Sequence, residues 1–136
     1  MTLQELNGHL DMVLQLLEAK EGLNNLQAKI LGAQQYDGMP HSHEASRKTE
    51  QLAASLEMQS DDVRRLEKIV ARSEVEVKAF IDSIADSRTR LIFRLRFLCG
   101  CKWEEVAELL GGRNTEKTVS MACYRYLQID ESVSNQ

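Results

Sequence analysis

A seven-residue apolar series runs unbroken through the middle of the chain: Leu56, Val63, Val70, Val77 and Ile84. A partner series, Leu52, Gln59, Leu66, Ser73 and Phe80, falls between them, so the spacing alternates three and four. An α-helix brings such positions to one side, because about 3.6 residues complete each turn. Residues 47–84 are therefore expected as one helix of roughly 55 Å at 1.5 Å per residue. Such a stripe cannot bury itself and needs another helix against it. Ser60, Asp61 and Asp62 are residue types that cap helices and offer a break there, but the seam continues across them and favours one helix.

The stretch before it has the same character. Residues 3–31 read as a long helix in which Leu3, Leu10, Leu17, Asn24 and Leu31 recur every seven residues, with Leu6 and Val13 between them. Asn24 on that seam can fix register, as a buried Asn does in coiled coils, or can simply be exposed. Gly22 weakens the helix and is a candidate bend. Residues 32–46 interrupt the pattern with Gly32, Asp37-Gly38 and Pro40, which predicts a flexible loop. His41 and His43 form a His-x-His pair there, but no Cys or acid at ligand spacing flanks them, so a solvated loop is the better reading.

The chain has 136 residues, a single Pro and few aromatics. With the two seams, this predicts an all-α protein: a long N-terminal helical hairpin or coiled coil over residues 1–85, then a smaller helical domain over 86–127, then a flexible polar tail over 128–136. Leu10, Leu17, Leu56, Val63, Leu66, Val70 and Val77 are the candidate oligomerisation residues. Two hairpins pairing into a four-helix bundle would give a homodimer. There is no apolar run of about 18 residues to cross a membrane and no basic leader. Three cysteines without framework spacing suit a reduced, cytoplasmic compartment.

Residues 86–127 carry the most information. Breaks at Gly100 and Gly111-Gly112 divide them into three short helices, with Asp86 or Ser87 as the first cap. Leu91, Ile92, Leu95 and Leu98 mark the inner face of the first. Val106, Ala107 and Leu110 mark the second, and Val119, Ala122, Cys123, Tyr126 and Leu127 the third. Thr115 is placed to cap the third, residues 116–127, which leaves Glu116, Lys117, Ser120, Met121, Tyr124 and Arg125 off the apolar face. Two short helices joined by a Gly-containing turn make a helix-turn-helix pattern, whose second helix enters the DNA major groove. The net charge of −4 is unevenly spread: residues 1–85 hold 9 basic and 14 acidic side chains, and residues 86–127 hold 8 basic and 5 acidic. Arg88, Arg90, Arg94 and Arg96 supply half of that basic set, either as a phosphate patch or as a solvated face pairing with the acidic second helix. Trp103 reads as a core anchor. Cys99, Cys101 and Cys123 lack a fourth ligand and the usual metal spacing, so small buried thiols are the better account. With no phosphate-binding glycine loop, nucleophile elbow or catalytic His–acid pair, no enzyme activity, cofactor or metal is expected.

The run Trp103-Glu104-Glu105-Val106-Ala107-Glu108-Leu109-Leu110-Gly111, followed by Asn114-Thr115-Glu116-Lys117-Thr118-Val119 and Tyr124-Arg125-Tyr126-Leu127, resembles the C-terminal helix-turn-helix, region 4, of the sigma-70 family of transcription initiation factors. The corner Phe97-Leu98-Cys99-Gly100 takes the place of the family's corner before the middle helix. The resemblance covers about a third of the chain. With the long helices in front, the whole is similar to small phage and prophage transcriptional regulators of the ArpU type. The resemblance implies that Glu116, Lys117, Ser120 and Met121 face bases or nearby phosphates, and that Arg113 and Arg125 hold phosphates. It departs from the family in having Lys102 where a capping Thr or Ser is usual, Glu116 where a basic residue is frequent, and a longer turn at Gly111-Gly112-Arg113. The expected partners are double-stranded DNA and a second copy of the chain, with RNA polymerase as a further candidate and no membrane. The rival expectation is an assembly or polymerase-docking protein that uses the same helices as a protein-binding surface.

Overall fold

The chain's computed structural model describes the backbone of residues 1–34 and 43–134 and the side chains of residues 1–32 and 47–128. All regular structure among them is helical. The helices are α1 (Leu3–Gln34), α2 (His43–Asp82), α3 (Ser87–Phe93), α4 (Trp103–Leu110) and α5 (Glu116–Ser134), with a π-helical turn over Arg94–Leu98 prolonging α3. No described helix is long and apolar enough to cross a membrane.

The two long helices form where their seams predict, α1 running three residues further than expected and α2 starting four residues earlier but stopping at Asp82, two short of the expected end. α1 starts after a reciprocal cap: the Glu5 N–H donates to Thr2 Oγ1 at 3.2 Å, and the Thr2 N–H donates to Glu5 Oε2 at 2.9 Å. This satisfies donors that a helix start leaves open. α2 passes through Ser60-Asp61-Asp62 without a break. There the Ser60 hydroxyl donates to the Leu56 carbonyl at 2.8 Å, and Asp61 and Asp62 pair with Arg64 and Arg65 one turn on, at 3.5 and 3.7 Å. The capping residues thus find partners inside the helix. The expected loop 32–46 is shortened at both ends, since α1 reaches Gln34 and α2 begins at His43. Its middle, with His41, and the His43 side chain lie outside the described residues.

The chain divides into two compact bodies that cut across both long helices: Met1–Leu14 with Ile69–Gln136, and Gln15–Lys68. Neither body ends at Asp86, which caps α3. The first body has one continuous core of Leu6, Leu10, Val77, Ile81, Ile84, Ile92, Phe93, Phe97, Val106, Ala107, Val119, Cys123 and Leu127. Leu6 from α1 and Ile81 from α2 have no exposed surface in it. The three short helices alone are too small to bury that much apolar surface, and the ends of the long helices complete it. In the second body Leu16 and Val63 are buried, Lys20 lies 3.6 Å from Glu67, and Gly22 lies against Gln59. A Cβ at Gly22 would stand 2.7 Å from Gln59 Nε2, so the end of the flexible Gln59 side chain fills the space beside this glycine, and α1 continues through it.

The proposed oligomerisation seam is divided by this packing. Leu10, Val63 and Val77 are buried within the chain, and Leu56, Leu66 and Val70 are half-buried. On α1 the buried apolar positions are Leu6, Leu10, Val13 and Leu16, while Leu17 is 47% and Leu31 61% exposed, and Asn24 is exposed with them. The seven-residue series starting at Leu3 drifts off the contact face, because 3.6 does not divide seven evenly. Asn24 therefore fixes no register inside the chain.

The first body also buries a polar side chain that periodicity passes over. His9 is 4% exposed. The Ser73 hydroxyl is 3.2 Å from the Val70 carbonyl, to which it donates, so its oxygen accepts from His9 Nδ1–H at 2.6 Å. The remaining nitrogen, Nε2, is buried without a partner. Burial holds the imidazole below its ordinary pKa, and the nearby Glu74 carboxylate partly opposes this.

Two outcomes follow for stability. Leu6→Ala should cost about 2–5 kcal/mol in urea unfolding, as expected for a buried leucine, whereas Leu17→Ala should change the unfolding free energy of the monomer by less than about 0.5 kcal/mol. For His9, the unfolded chain binds the extra proton between the lowered folded pKa and the ordinary value near 6.5. Stability should therefore fall as pH drops through that window, and His9→Gln should flatten the slope of Tm against pH there.

Candidate nucleic-acid interface

The turn-and-helix unit from Trp103 onward is built as its residues dictate. α3 starts at Asp86, whose carboxylate accepts from the Thr89 N–H at 3.0 Å and the Thr89 hydroxyl at 2.6 Å. These hydrogen bonds hold the Asp86 carboxyl below its ordinary range, with Arg88 and Arg90 adding to the effect. The following π turn closes with the Cys99 N–H on the Arg94 carbonyl at 3.1 Å, and the chain reverses at Gly100 with φ 73°. α4 has a one-sided cap: Glu105 Oε1 accepts from the Lys102 N–H at 3.2 Å, but an ammonium offers no oxygen in return. Gly111 and Gly112 take φ 70° and 64°, a left-handed conformation that costs glycine little.

α5 opens as expected on Thr115. The Thr118 N–H donates to Thr115 Oγ1 at 3.2 Å, and the Thr115 N–H donates to Thr118 Oγ1 at 2.9 Å. Val119, Cys123 and Leu127 are buried, and Ala122 and Tyr126 lean on the same core. The opposite face presents Glu116, Lys117, Met121, Tyr124 and Arg125 to solvent, with Ser120 half-buried and Arg113 exposed in the turn before it. The Ser120 hydroxyl donates to the Lys117 carbonyl at 3.1 Å. The helix runs on to Ser134, past the expected stop at Leu127, because Gln128 to Ser134 contain no Gly or Pro to end it. The stretch expected as a flexible tail is thus largely helical in its backbone.

The inner face of the first short helix differs from expectation. Ile92, Phe93 and Phe97 are fully buried, Leu95 and Leu98 are partly so, and Leu91 is exposed. Three of the four expected positions, Ile92, Leu95 and Leu98, pack on the core, and Leu91 alone turns outward. Phe93 and Phe97, four residues apart, add rings that bury more apolar area than a leucine.

The four arginines of this segment are each engaged within the chain. Arg88 donates to Asn114 Oδ1 at 2.8 Å, and Arg90 to the Ile84 carbonyl at 2.9 Å. Arg94 pairs with Asp82 of α2 at 3.3 Å. Arg96 donates to the Cys101 carbonyl at 3.0 Å and lies 4.7 Å over the Trp103 ring. Only the Arg94 pair matches the expected partnership with α2. The other three tie the short helices and turns to one another.

Trp103 is half-buried against the core and meets the edge of Tyr124 at 6.2 Å. Cys123 is a buried thiol, pushed up to about 12 by burial against the opposing pull of Arg96. Cys101 is half-buried and also raised, mainly by burial, whereas Cys99 is exposed and departs from the expected buried thiols. No group of three or more His, Cys, Asp or Glu side chains among the described residues is arranged to hold a metal ion. No protein-family model matches this chain, and no curated protein or solved structure matches it either.

Thr115→Ala should lower stability by about 1 kcal/mol through loss of the cap. Amide exchange at Thr118 and Val119 should quicken, while exchange in α4 should stay unchanged.

Proposed function

We propose that this chain is a non-enzymatic, cytoplasmic transcriptional regulator of phage or prophage type that binds double-stranded DNA. In this reading α4 and α5 form a helix-turn-helix resembling region 4 of sigma-70 factors, and residues 116–127 form the recognition helix in the major groove. One observation carries the reading: α5 is anchored by Val119, Cys123 and Leu127 on one side and offers Lys117, Met121, Tyr124 and Arg125 to solvent on the other, directly after a tight glycine turn. Lys117 can donate to guanine acceptors, Glu116 can accept from a cytosine amino group, and Met121 can meet a thymine methyl. Arg113, Thr115 and Arg125 suit phosphates, and Ser120 can reach either. A homodimer, assembled through apolar side chains of the long helices that stay exposed, would present two such helices to two half-sites.

A second reading, docking onto RNA polymerase or an assembly partner, is favoured by the charge around α4. Glu104, Glu105 and Glu108 are exposed there beside Leu109, which is 64% exposed. Residues 103–128 hold three basic and four acidic side chains, so the paired helices themselves are not basic. Fluorescence anisotropy with labelled duplex flanking the chain's own gene, beside an unrelated duplex, separates the two. DNA binding should be selective and should weaken with salt. Lys117→Ala combined with Arg125→Ala should weaken it by roughly tenfold or more without loss of helicity. No salt-dependent binding by the unaltered protein, together with retained capture of RNA polymerase by the double variant, would replace the first reading by the second.

A further inference from the structure

Arg88 and Arg96 sit on the segment before α4, and the sequence offers them as phosphate ligands. Their surroundings give them a different task. Arg88 reaches the turn before α5, where its guanidinium donates to Asn114 Oδ1 at 2.8 Å. The Asn114 amide in turn donates to the Gly111 carbonyl at 2.8 Å, across the two residues with positive φ. This chain of hydrogen bonds ties α3 to the turn that decides where α5 begins. A glycine pair in the left-handed region is otherwise free to take other conformations.

Arg96 holds α5 further along. It lies in the π turn, which accommodates one residue more than an α turn. From there its guanidinium donates to the Cys101 carbonyl at 3.0 Å and covers the Trp103 ring at 4.7 Å. Trp103 meets Tyr124 edge-on at 6.2 Å, with an interplanar angle of 76°. Tyr124 is on the outward side of α5 and 40% exposed. The Nε of Arg96 is sealed from solvent and finds no acceptor, and a guanidinium turned outward to a phosphate would give up both the Cys101 carbonyl and the Trp103 ring. A carbonyl contact and a ring face together orient a guanidinium more closely than either alone.

We propose that Arg88 and Arg96 are positioning residues, which set the start and the outward face of α5 through Asn114 and through Trp103–Tyr124, and that neither is a contact to the nucleic acid. The proposal rests on the DNA-binding reading for its affinity arm alone. Removing a phosphate contact lowers the slope of log affinity against log salt by about 0.9, whereas misplacing α5 lowers affinity at an unchanged slope. Trp103 is the chain's single tryptophan, so its emission reports the Arg96 contact directly.

The test compares Arg88→Ala, Arg96→Gln and Arg96→Lys with Arg125→Ala in the full chain, using the same duplex over a salt series. Arg88→Ala and Arg96→Gln should each weaken binding by roughly threefold to tenfold at an unchanged slope, and Arg125→Ala should reduce the slope by about one. Arg96→Gln should move Trp103 emission to longer wavelength and raise its quenching by iodide, with Arg96→Lys restoring most of the signal. Arg88→Ala should leave the emission alone and quicken amide exchange at residues 116–119. A slope reduced by about one in either arginine variant, with emission and exchange unchanged, overturns the proposal. If the unaltered protein binds no duplex, the functional reading fails by itself, and the emission and exchange arms still decide the positioning role: no change in them overturns it. Should Arg96→Gln not fold, Arg96→Lys and Arg88→Ala carry the comparison.

Discussion

Phe93 has no exposed surface and touches three other rings: Phe80 of α2 at 6.0 Å, Phe97 of the π turn at 5.6 Å and Tyr126 of α5 at 5.5 Å. Phe80 and Tyr126 also meet each other at 6.3 Å. All three phenylalanines of the chain lie in this cluster. Large rings bury much apolar area each, and edge-on pairs add about 0.5–1.5 kcal/mol beyond burial. The cluster is what joins a long helix, the π turn and the last helix into one core. The glycine turns, the threonine cap and the arginine ties then adjust geometry that the rings have already fixed.

The core explains why the C-terminal helices are not a domain by themselves. Leu6 and Leu10 of α1, Val77 and Ile81 of α2, and Ile84 just after it belong to the same buried set as Val106 and Val119. Three helices as short as these leave one side of their apolar surface open, and the ends of the long helices cover it. In consequence the face of α5 that we propose for DNA is held through the whole depth of that body, from Leu6 to Leu127.

Electrostatics is the part of the proposal that the fold reshapes most. The basic excess of residues 86–127 comes largely from four arginines, and each has a partner inside the chain. What α5 and its turn offer outward is Arg113, Lys117 and Arg125 against Glu116, with the acidic row of α4 alongside. Such a surface relies on shape and a few directed contacts more than on a broad positive field. That is why the orientation of α5 matters, and why arginines that hold it in place are worth more there than as additional charge.

Much of the architecture was legible in the residues. The seam from Leu56 to Val77 announced the second helix and its continuity, because period and propensity are local, although the helix stops at Asp82, before Ile84. Gly100, Gly111 and Gly112 fixed the turns, since few other residues accept positive φ. Thr115 fixed the start of α5, and Val119, Cys123 and Leu127 its buried side. What the residues left open was decided by tertiary structure. The burial of Phe93 and Phe97, with Leu91 left exposed, depends on which side of the first short helix the core covers. The loss of Leu17 and Asn24 from the contact face depends on which helix α1 meets and at what angle. The burial of His9 against Ser73, and the employment of four arginines as internal ties, depend on atoms far apart in sequence. Local order follows from the chain's own backbone chemistry, but a partner at long range is chosen only when competing faces are offered the same core and the larger, better-fitting surface is buried.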